Sequence, residues 1–303
     1  MTPARRGHLA MLTFSALVAG SFSLGAMAAP LISPSALTVA RFALAAAVVG
    51  VAARMTGGVQ RAAWASPWRY VVLGGLMALY FVLMFEGLRT AEAVQTAAVF
   101  TLTPLMAAGF GWLLLRQVTS PRMALALALG AAGALWVVFR GDAQALLGMQ
   151  VGRGEVIYFI GCVAHALYTP MVRKLNKGER AMDFTFGTML AGFVLLCLWG
   201  WRDVLDTDWA NLPPIVWICL AYIGIIASAV SFVLLQYGAL RLPASKVMAY
   251  TYLVPSWVIL WELALGHGAP PGRVLVGVGL TVAALALLLK DEPPRAQAPV
   301  PPP

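Results

Sequence analysis

Residues 93–115 read AVQTAAVFTLTPLMAAGFGWLLL, a run without a charged side chain. A helix rises about 1.5 Å per residue, so such a run spans a hydrocarbon layer about 30 Å thick. Pro104 stands near its middle. Proline breaks a helical hydrogen bond, and a membrane helix tolerates it where the freed carbonyl finds another partner. Outward from this stretch the pattern recurs. Apolar runs at 9–29, 35–53, 70–88, 122–139, 155–172, 184–201, 214–236, 247–266 and 273–290 bring the predicted spans to ten. The predicted fold class is an all-α polytopic membrane protein.

Composition agrees. Of 303 residues, 61% are apolar and 11% charged, against about 25% charged in an ordinary soluble domain. A soluble enzyme, a nucleic-acid module and a disordered chain are excluded on this ground. The net charge of +9 is scattered between apolar blocks and forms no basic face, so no nucleic-acid partner is expected. Cys162, Cys197 and Cys219 lie inside apolar runs and lack the paired spacing of a metal site or disulfide framework. They are read as packing residues, and no metal or cofactor is expected.

The first run resembles a signal peptide in outline, with Arg5-Arg6 before it and Ala26-Met27-Ala28 after. Its length exceeds the usual apolar core of about 7–15 residues, and it continues almost at once into a second span. It is therefore read as a retained helix. With a cytoplasmic N-terminus, 15 Lys and Arg fall on inner segments and 5 on outer ones: Arg89, Arg140, Arg153, Arg202 and Arg273. Only Arg41 lies within a span. Basic residues concentrate on the cytoplasmic side, so both termini are expected inside an inner (plasma) membrane.

A shift of 151 residues brings Gly87 onto Gly238, Pro104 onto Pro255 and Arg122 onto Arg273 without a gap. Each half reads as a span ending in Gly, a span with Pro at one depth, and a final span. Five spans per half is odd, so the second half must cross the membrane inverted. The resulting expectation is two inverted five-helix repeats. Inverted repeats are characteristic of transporters, whose substrates bind near the midplane where the repeats meet.

These residues carry a resemblance. The chain resembles the drug/metabolite transporter superfamily, in its ten-helix branch with two EamA-type domains, over about 9–290. The small residues Gly20-Ser21 are similar to the family's first helix, although its usual Trp-Gly pair is absent. Pro34 through Arg41-Phe42-Ala43-Leu44-Ala45 resembles its second-helix signature. Thr103-Pro104-Leu105 and Val254-Pro255 match its prolines, and Gly154-Glu155 through Arg173-Lys174-Leu175 is similar to the start of the second repeat. The family often places an acid about 13 positions after each proline; Gln117 and Gly268 stand there instead, so that acid's role does not transfer. The resemblance implies movement of a small metabolite or drug-like solute, commonly outward. The implied organisation is a cytoplasmic N-terminus at 1–8, a first EamA-type repeat at 9–145, a second at 146–290, and a disordered Pro-rich cytoplasmic tail at 291–303.

Ionisable groups inside spans are functional candidates by default. Arg41, Glu86 and Glu262 all fall in the outer half, and Arg41 is expected to pair with one of the two acids or to snorkel to the interface. Glu262 shares a face with Pro255 and Thr251 and is a candidate for proton coupling. The substrate pathway is expected to use Gln95, Thr101, Pro104 and Trp112 of the fourth span. From the sixth span come Tyr158, His165 and Tyr168; from the ninth, Tyr250, Thr251, Pro255 and Trp257. Gly130, Ala134, Gly279 and Ala283 have small-residue spacing, which suggests close packing and a homodimer contact. Two other function classes stay open: a membrane scaffold or accessory subunit, and an intramembrane enzyme. The enzyme lacks support, because His8, His165 and His267 lie far apart and no nucleophile elbow or zinc-binding helix motif accompanies them.

Overall fold

The computed structural model describes residues 3–60, 64–148 and 151–289. Ten of its helices are long and apolar enough to cross a membrane: α1 (Pro3–Ala28), α2 (Pro34–Met55), α3 (Trp68–Leu88), α4 (Ala93–Leu115), α5 (Pro121–Val138), α6 (Arg153–Leu175), α7 (Ala181–Asp206), α8 (Pro214–Ala239), α9 (Ala244–Ala264) and α10 (Gly272–Leu289). No strand occurs among the described residues. The predicted tail at 291–303 lies outside them.

Several helices outrun their apolar stretches. α1 starts at Pro3 rather than residue 9, because proline is at home in a first turn and the helix continues through Arg5 and Arg6. Ser33 caps α2 by accepting a bond from Ala36 N at 3.1 Å, with Pro34 at the first position. Ser120 does the same for α5 through Met123 N, ahead of Pro121. Between α5 and α6 a short helix, Ala143–Leu147, is capped by Asp142.

The two halves are inverted repeats, and the packing reflects their exchange. α3 packs on α6, as α8 packs on α1. α4 packs on α6, as α9 packs on α1. α2 packs on α8, as α7 packs on α3. The remaining large contacts join each helix to its own counterpart: α2 with α7, α4 with α9, and α5 with α10. This pattern is that of a two-fold relation between α1–α5 and α6–α10. It also accounts for the matched Gly87 and Gly238, which face α6 and α1 in turn. A Cβ at Gly87 would lie 2.7 Å from the Gly154 carbonyl, and one at Gly238 would lie 2.6 Å from Met11 Sδ.

The small-residue expectation is corrected in part. Gly130 and Ala134 are buried, but Gly279 and Ala283 face outward. The close approach of α5 to α10 is made by Gly133 and Gly277 instead. α10 turns the face carrying Gly277 and Thr281 inward, and Gly279 and Ala283 lie about 120–160° around the helix from them.

Candidate functional site

The two spans that carry the matched prolines, Pro104 and Pro255, are each interrupted where they meet. α4 breaks at Thr101–Leu102, and α9 tightens into a 3₁₀ turn at Tyr250–Leu253. Each break lies just before its proline. Pro104 cannot donate to the Phe100 carbonyl four residues back, and the Thr103 hydroxyl takes that carbonyl at 2.7 Å. The carbonyl of Thr251, freed by Pro255, accepts from Val254 N in the tighter turn. The two breaks meet through Thr103 Oγ1 and Thr251 Oγ1, 3.3 Å apart.

α8 departs from regularity too. Tyr222–Val230 is π-helical, a form concentrated at functional sites because it loosens the carbonyl ladder. Within it the Ala227 carbonyl accepts from Arg41 Nη2 at 2.9 Å and from Ser231 Oγ at 2.8 Å. Ser228 Oγ accepts from Arg41 Nε at 2.5 Å.

Arg41 stands seven residues, ~10 Å, into α2. Its side chain reaches the middle of the bundle and is 1% exposed. The guanidinium carbon lies 3.5 Å from the centre of the Phe81 ring. Nη1 has no protein partner. The expected ion pair is absent: Glu86 pairs with Arg89 at 3.2 Å, and Glu262 with His267 at 2.9 Å. Arg41 does not snorkel either. An arginine side chain lacks the reach to satisfy both α8 and an outer acid, and the π-helical carbonyl lies nearer.

Arg41 forms part of the wall of a small cavity between α1, α2, α3, α4, α6 and α8. The free space is about 10 Å³, room for about one water molecule. Phe14, Phe22, Phe81, Phe100 and Phe232 supply the apolar wall; Ser21, Arg41, Tyr80, His165 and Ser231 supply polar atoms. His165 lies between the rings of Tyr80 and Phe100, at 4.5 and 5.1 Å between centres. Its Nδ1 and the Ser21 hydroxyl oxygen are buried without protein partners. Buried polar atoms are nearly always paired, so three unpaired ones beside one cavity mark it as a candidate binding site.

Of the residues singled out from sequence, Arg41 and His165 line this cavity. Tyr158 and Tyr168 are one layer back: Tyr158 bonds the Tyr80 hydroxyl at 2.9 Å, and Tyr168 accepts from Gln236 Nε2 at 2.9 Å. Thr101, Pro104, Thr251 and Pro255 build the crossed breaks. Tyr250 bonds His8 Nδ1 at 3.0 Å, and Trp257 Nε1 donates to Ser15 Oγ at 3.3 Å, so both tie α9 to α1. Trp112 is 55% exposed on the outside of α4, away from any pathway. Its position is corrected because α4 turns Ala107 and Gly111 inward, leaving Trp112 on the opposite side. Gln95 and Glu262 line a separate vestibule of about 290 Å³ with Glu92, Arg140 and His267. One Glu262 oxygen is buried there without a partner.

Sequence reading missed Ser228, Ser231, Tyr80 and Gln236. A serine pair three apart and a lone glutamine inside the most apolar span were the available signals. It also counted Arg69 only as an inner-surface charge. Arg69 is 1% exposed and pairs with Glu179 at 2.6 Å, with further bonds to the Leu175 and Ser66 carbonyls. Gln117, standing where the resembled family often has an acid, accepts from Ala244 N at 3.2 Å and so caps the first turn of α9.

Comparison with known proteins adds the following. The profile of the EamA-like transporter family matches residues 5–139 and again 152–290. Two relatives from Bacillus subtilis (strain 168) are similar over much of their length. The uncharacterized transporter YyaM is 26% identical over 287 residues, 93% of this chain and 92% of the relative. The uncharacterized transporter YwfM is 26% identical over 238 residues, 77% and 76% of the two chains. One crystal structure shares the fold with a TM-score of 0.72 at 22% identity, covering 95% of this chain and 98% of the other.

Proposed function

Because the chain belongs to the EamA-like transporter family, we propose that it is a secondary transporter that moves a small solute across the inner (plasma) membrane by alternating access. The observation that carries this reading is the small cavity between the two inverted repeats, with buried polar groups lacking protein partners. Rocking one repeat against the other around such a site opens it to each side in turn. The crossed breaks of α4 and α9 and the π-helical segment of α8 are the natural flexing points, since each already lacks regular helical bonding. We take the physiological direction as outward. The lipid-facing Gly279 and Ala283 are the surface on which a homodimer contact would form.

The test is flux. Protein in liposomes loaded with a mixed metabolite extract is expected to give saturable, protein-dependent exchange of one solute class, read by mass spectrometry. No protein-dependent flux of any solute would leave the scaffold reading in its place. Glu262 supports proton exchange with the outer solution, since its carboxylate opens on a vestibule beside His267. In the same liposomes, Glu262→Gln is expected to spare exchange and to lose pH-driven uptake. Unchanged pH-driven uptake would remove Glu262 from coupling.

Both termini are proposed to be cytoplasmic, on the basis of the basic inner segments. With Cys162, Cys197 and Cys219 replaced, an impermeant maleimide added outside is expected to label a cysteine placed at Asp206 and not one at Lys177; both positions are exposed. The opposite pattern would invert the topology.

A further inference from the structure

We propose that the vestibule between the start of α4 and the end of α9 is a binding site for a small organic monocation, a primary ammonium on a compact apolar body, with Glu262 and Gln95 as the groups that hold the ammonium. The proposal goes beyond the transporter reading, because binding here is measured without flux. Among the described residues, the vestibule shares no lining side chain with the small cavity beside Arg41. Its space of about 290 Å³ stands at the small end of ligand pockets, which begin near about 300 Å³.

Its basis is unpaired oxygen and uncancelled charge. Gln95 is 5% exposed, and its Oε1 has no protein partner. Glu262 gives one oxygen to His267 Nδ1 at 2.9 Å, and its Oε1 is buried without a partner. Buried polar atoms are nearly always paired, so two unpaired acceptors on residues lining one vestibule call for donors from outside the chain. The other acid is already cancelled: Glu92 Oε1 accepts from Arg140 Nη2 at 2.8 Å. With His267 neutral and donating, the lining keeps one negative charge, on Glu262. A primary ammonium answers both needs, since it carries one positive charge and three N–H donors. The last torsion of Glu and Gln is broad, so a small turn presents either oxygen to the ligand. Val94, Pro270, Pro271 and Val274 line the rest and suit an apolar body. A second cationic group would meet Arg140 and no further free acid.

The repeat shows that this chemistry is local to one end. A second vestibule of about 290 Å³ lies at the other end of the α4–α9 pair, lined in part by Gln117, Val118, Met123 and Pro243. The 151-residue shift places those four on Gly268, Ala269, Val274 and Glu92, so the two spaces are counterparts in the inverted halves. Glu262 and Gln95 fall on Gly111 and Lys246, and the charged side chain lining the second space is Arg173. The acceptors are therefore an addition at one end and not a by-product of the fold.

The test uses purified full-length protein in an uncharged detergent at about pH 8, where an imidazole is ordinarily neutral. Three probes are compared: benzylamine, a primary ammonium; benzyl alcohol, its uncharged analogue; and benzyltrimethylammonium, a cation without N–H donors. Binding is read by calorimetry and by the thermal shift each probe produces. Benzylamine is expected to bind about tenfold or more tighter than benzyl alcohol, the scale of a charge-assisted hydrogen bond, with benzyltrimethylammonium weaker than benzylamine. Glu262→Gln is expected to remove the preference for amine over alcohol, and Gln95→Leu to weaken the amine about threefold or more. Arg173→Gln, in the counterpart vestibule, is expected to leave benzylamine binding unchanged. Should a site variant not fold, the wild-type probe series and Arg173→Gln decide. Equal binding of amine and alcohol, no binding of benzylamine, a quaternary cation bound as tightly as the amine, or an amine preference intact in folded Glu262→Gln overturns the proposal. The two levels stay apart: failure of binding leaves the transporter reading intact, and absence of all flux overturns that reading and leaves the binding result standing.

Discussion

Replacing Glu179 with alanine is expected to destabilise the protein by about 3–5 kcal/mol, the scale for removing one partner of a buried ion pair. Glu179 sits in the loop between α6 and α7. Its carboxylate accepts from Arg69 Nη2 at 2.6 Å and from Lys177 N at 2.6 Å, and its carbonyl accepts from Asn176 Nδ2 at 3.2 Å. The loop is thereby clamped onto the start of α3. Without the carboxylate, Arg69 keeps two carbonyl partners and an uncancelled charge at a site that is 1% exposed. Arg69→Met in the same chain is expected to recover part of the loss, because it removes the stranded charge. The clamp also has a pH signature. Burial pushes the Glu179 carboxyl up, but the Arg69 bond, the backbone bonds and the Arg69 charge together outweigh burial and hold it below its usual range. A carboxylate depressed by folding stabilises above its unfolded pKa, about 4.3, and that stability is lost as pH falls through the lower folded value. Thermal unfolding in detergent should therefore decline more steeply below about pH 4.3 for wild type than for Glu179→Gln. Matching acid profiles, with Glu179→Ala as stable as wild type, would show the clamp to be idle.

Gly133→Leu is expected to cost about 3 kcal/mol, the upper range for overpacking, and to lower the yield of monodisperse protein sharply. A Cβ at Gly133 would stand 2.7 Å from the Gly277 carbonyl oxygen, and one at Gly277 would stand 2.6 Å from that of Gly133. The obstacle in each case is the opposite helix backbone, which cannot move aside as a side chain can. The two helices would have to part, and α5 and α10 are each other's largest contact. Gly279→Leu, on the outward side of α10 away from Gly277, is the control, since nothing lies within 4 Å of a Cβ there. It is expected to stay within about 0.5 kcal/mol of wild type, as surface changes usually do. Comparable losses for both variants would show that the cost does not come from the Gly133–Gly277 contact.

The spans and the repeat were legible before any coordinates, and particular residues show why. Residues 93–115 can only be satisfied in lipid, and the Pro104–Pro255 and Gly87–Gly238 matches reflect local chemistry that recurs in each half. The site was legible only in part. Arg41 and His165 stand out because an ionisable group in an apolar run has few ordinary explanations. Their partners do not stand out. Ser228 is 187 positions from Arg41, and a serine in a membrane helix usually bonds its own backbone. Trp112 shows the opposite failure: an aromatic near a proline looked inward on paper, and one step of helical phase put it in lipid.

The sequence by itself determined how many times this chain crosses the membrane and that its halves run in opposite directions. Both follow from summed properties, the transfer of about 20 apolar side chains per span and an odd number of spans per half, and such sums need no knowledge of neighbours. Only the tertiary structure decided which side chain meets which. Arg41 bonds a π-helical carbonyl rather than an acid, Glu179 holds Arg69, and Gly277 rather than Gly279 meets the opposite helix. Hydrogen bonds and close contacts act over about 3 Å, so a rotation of one helix by a fraction of a turn exchanges one partner for another. That rotation is set by the packing of all ten helices together, which no single stretch of the chain contains.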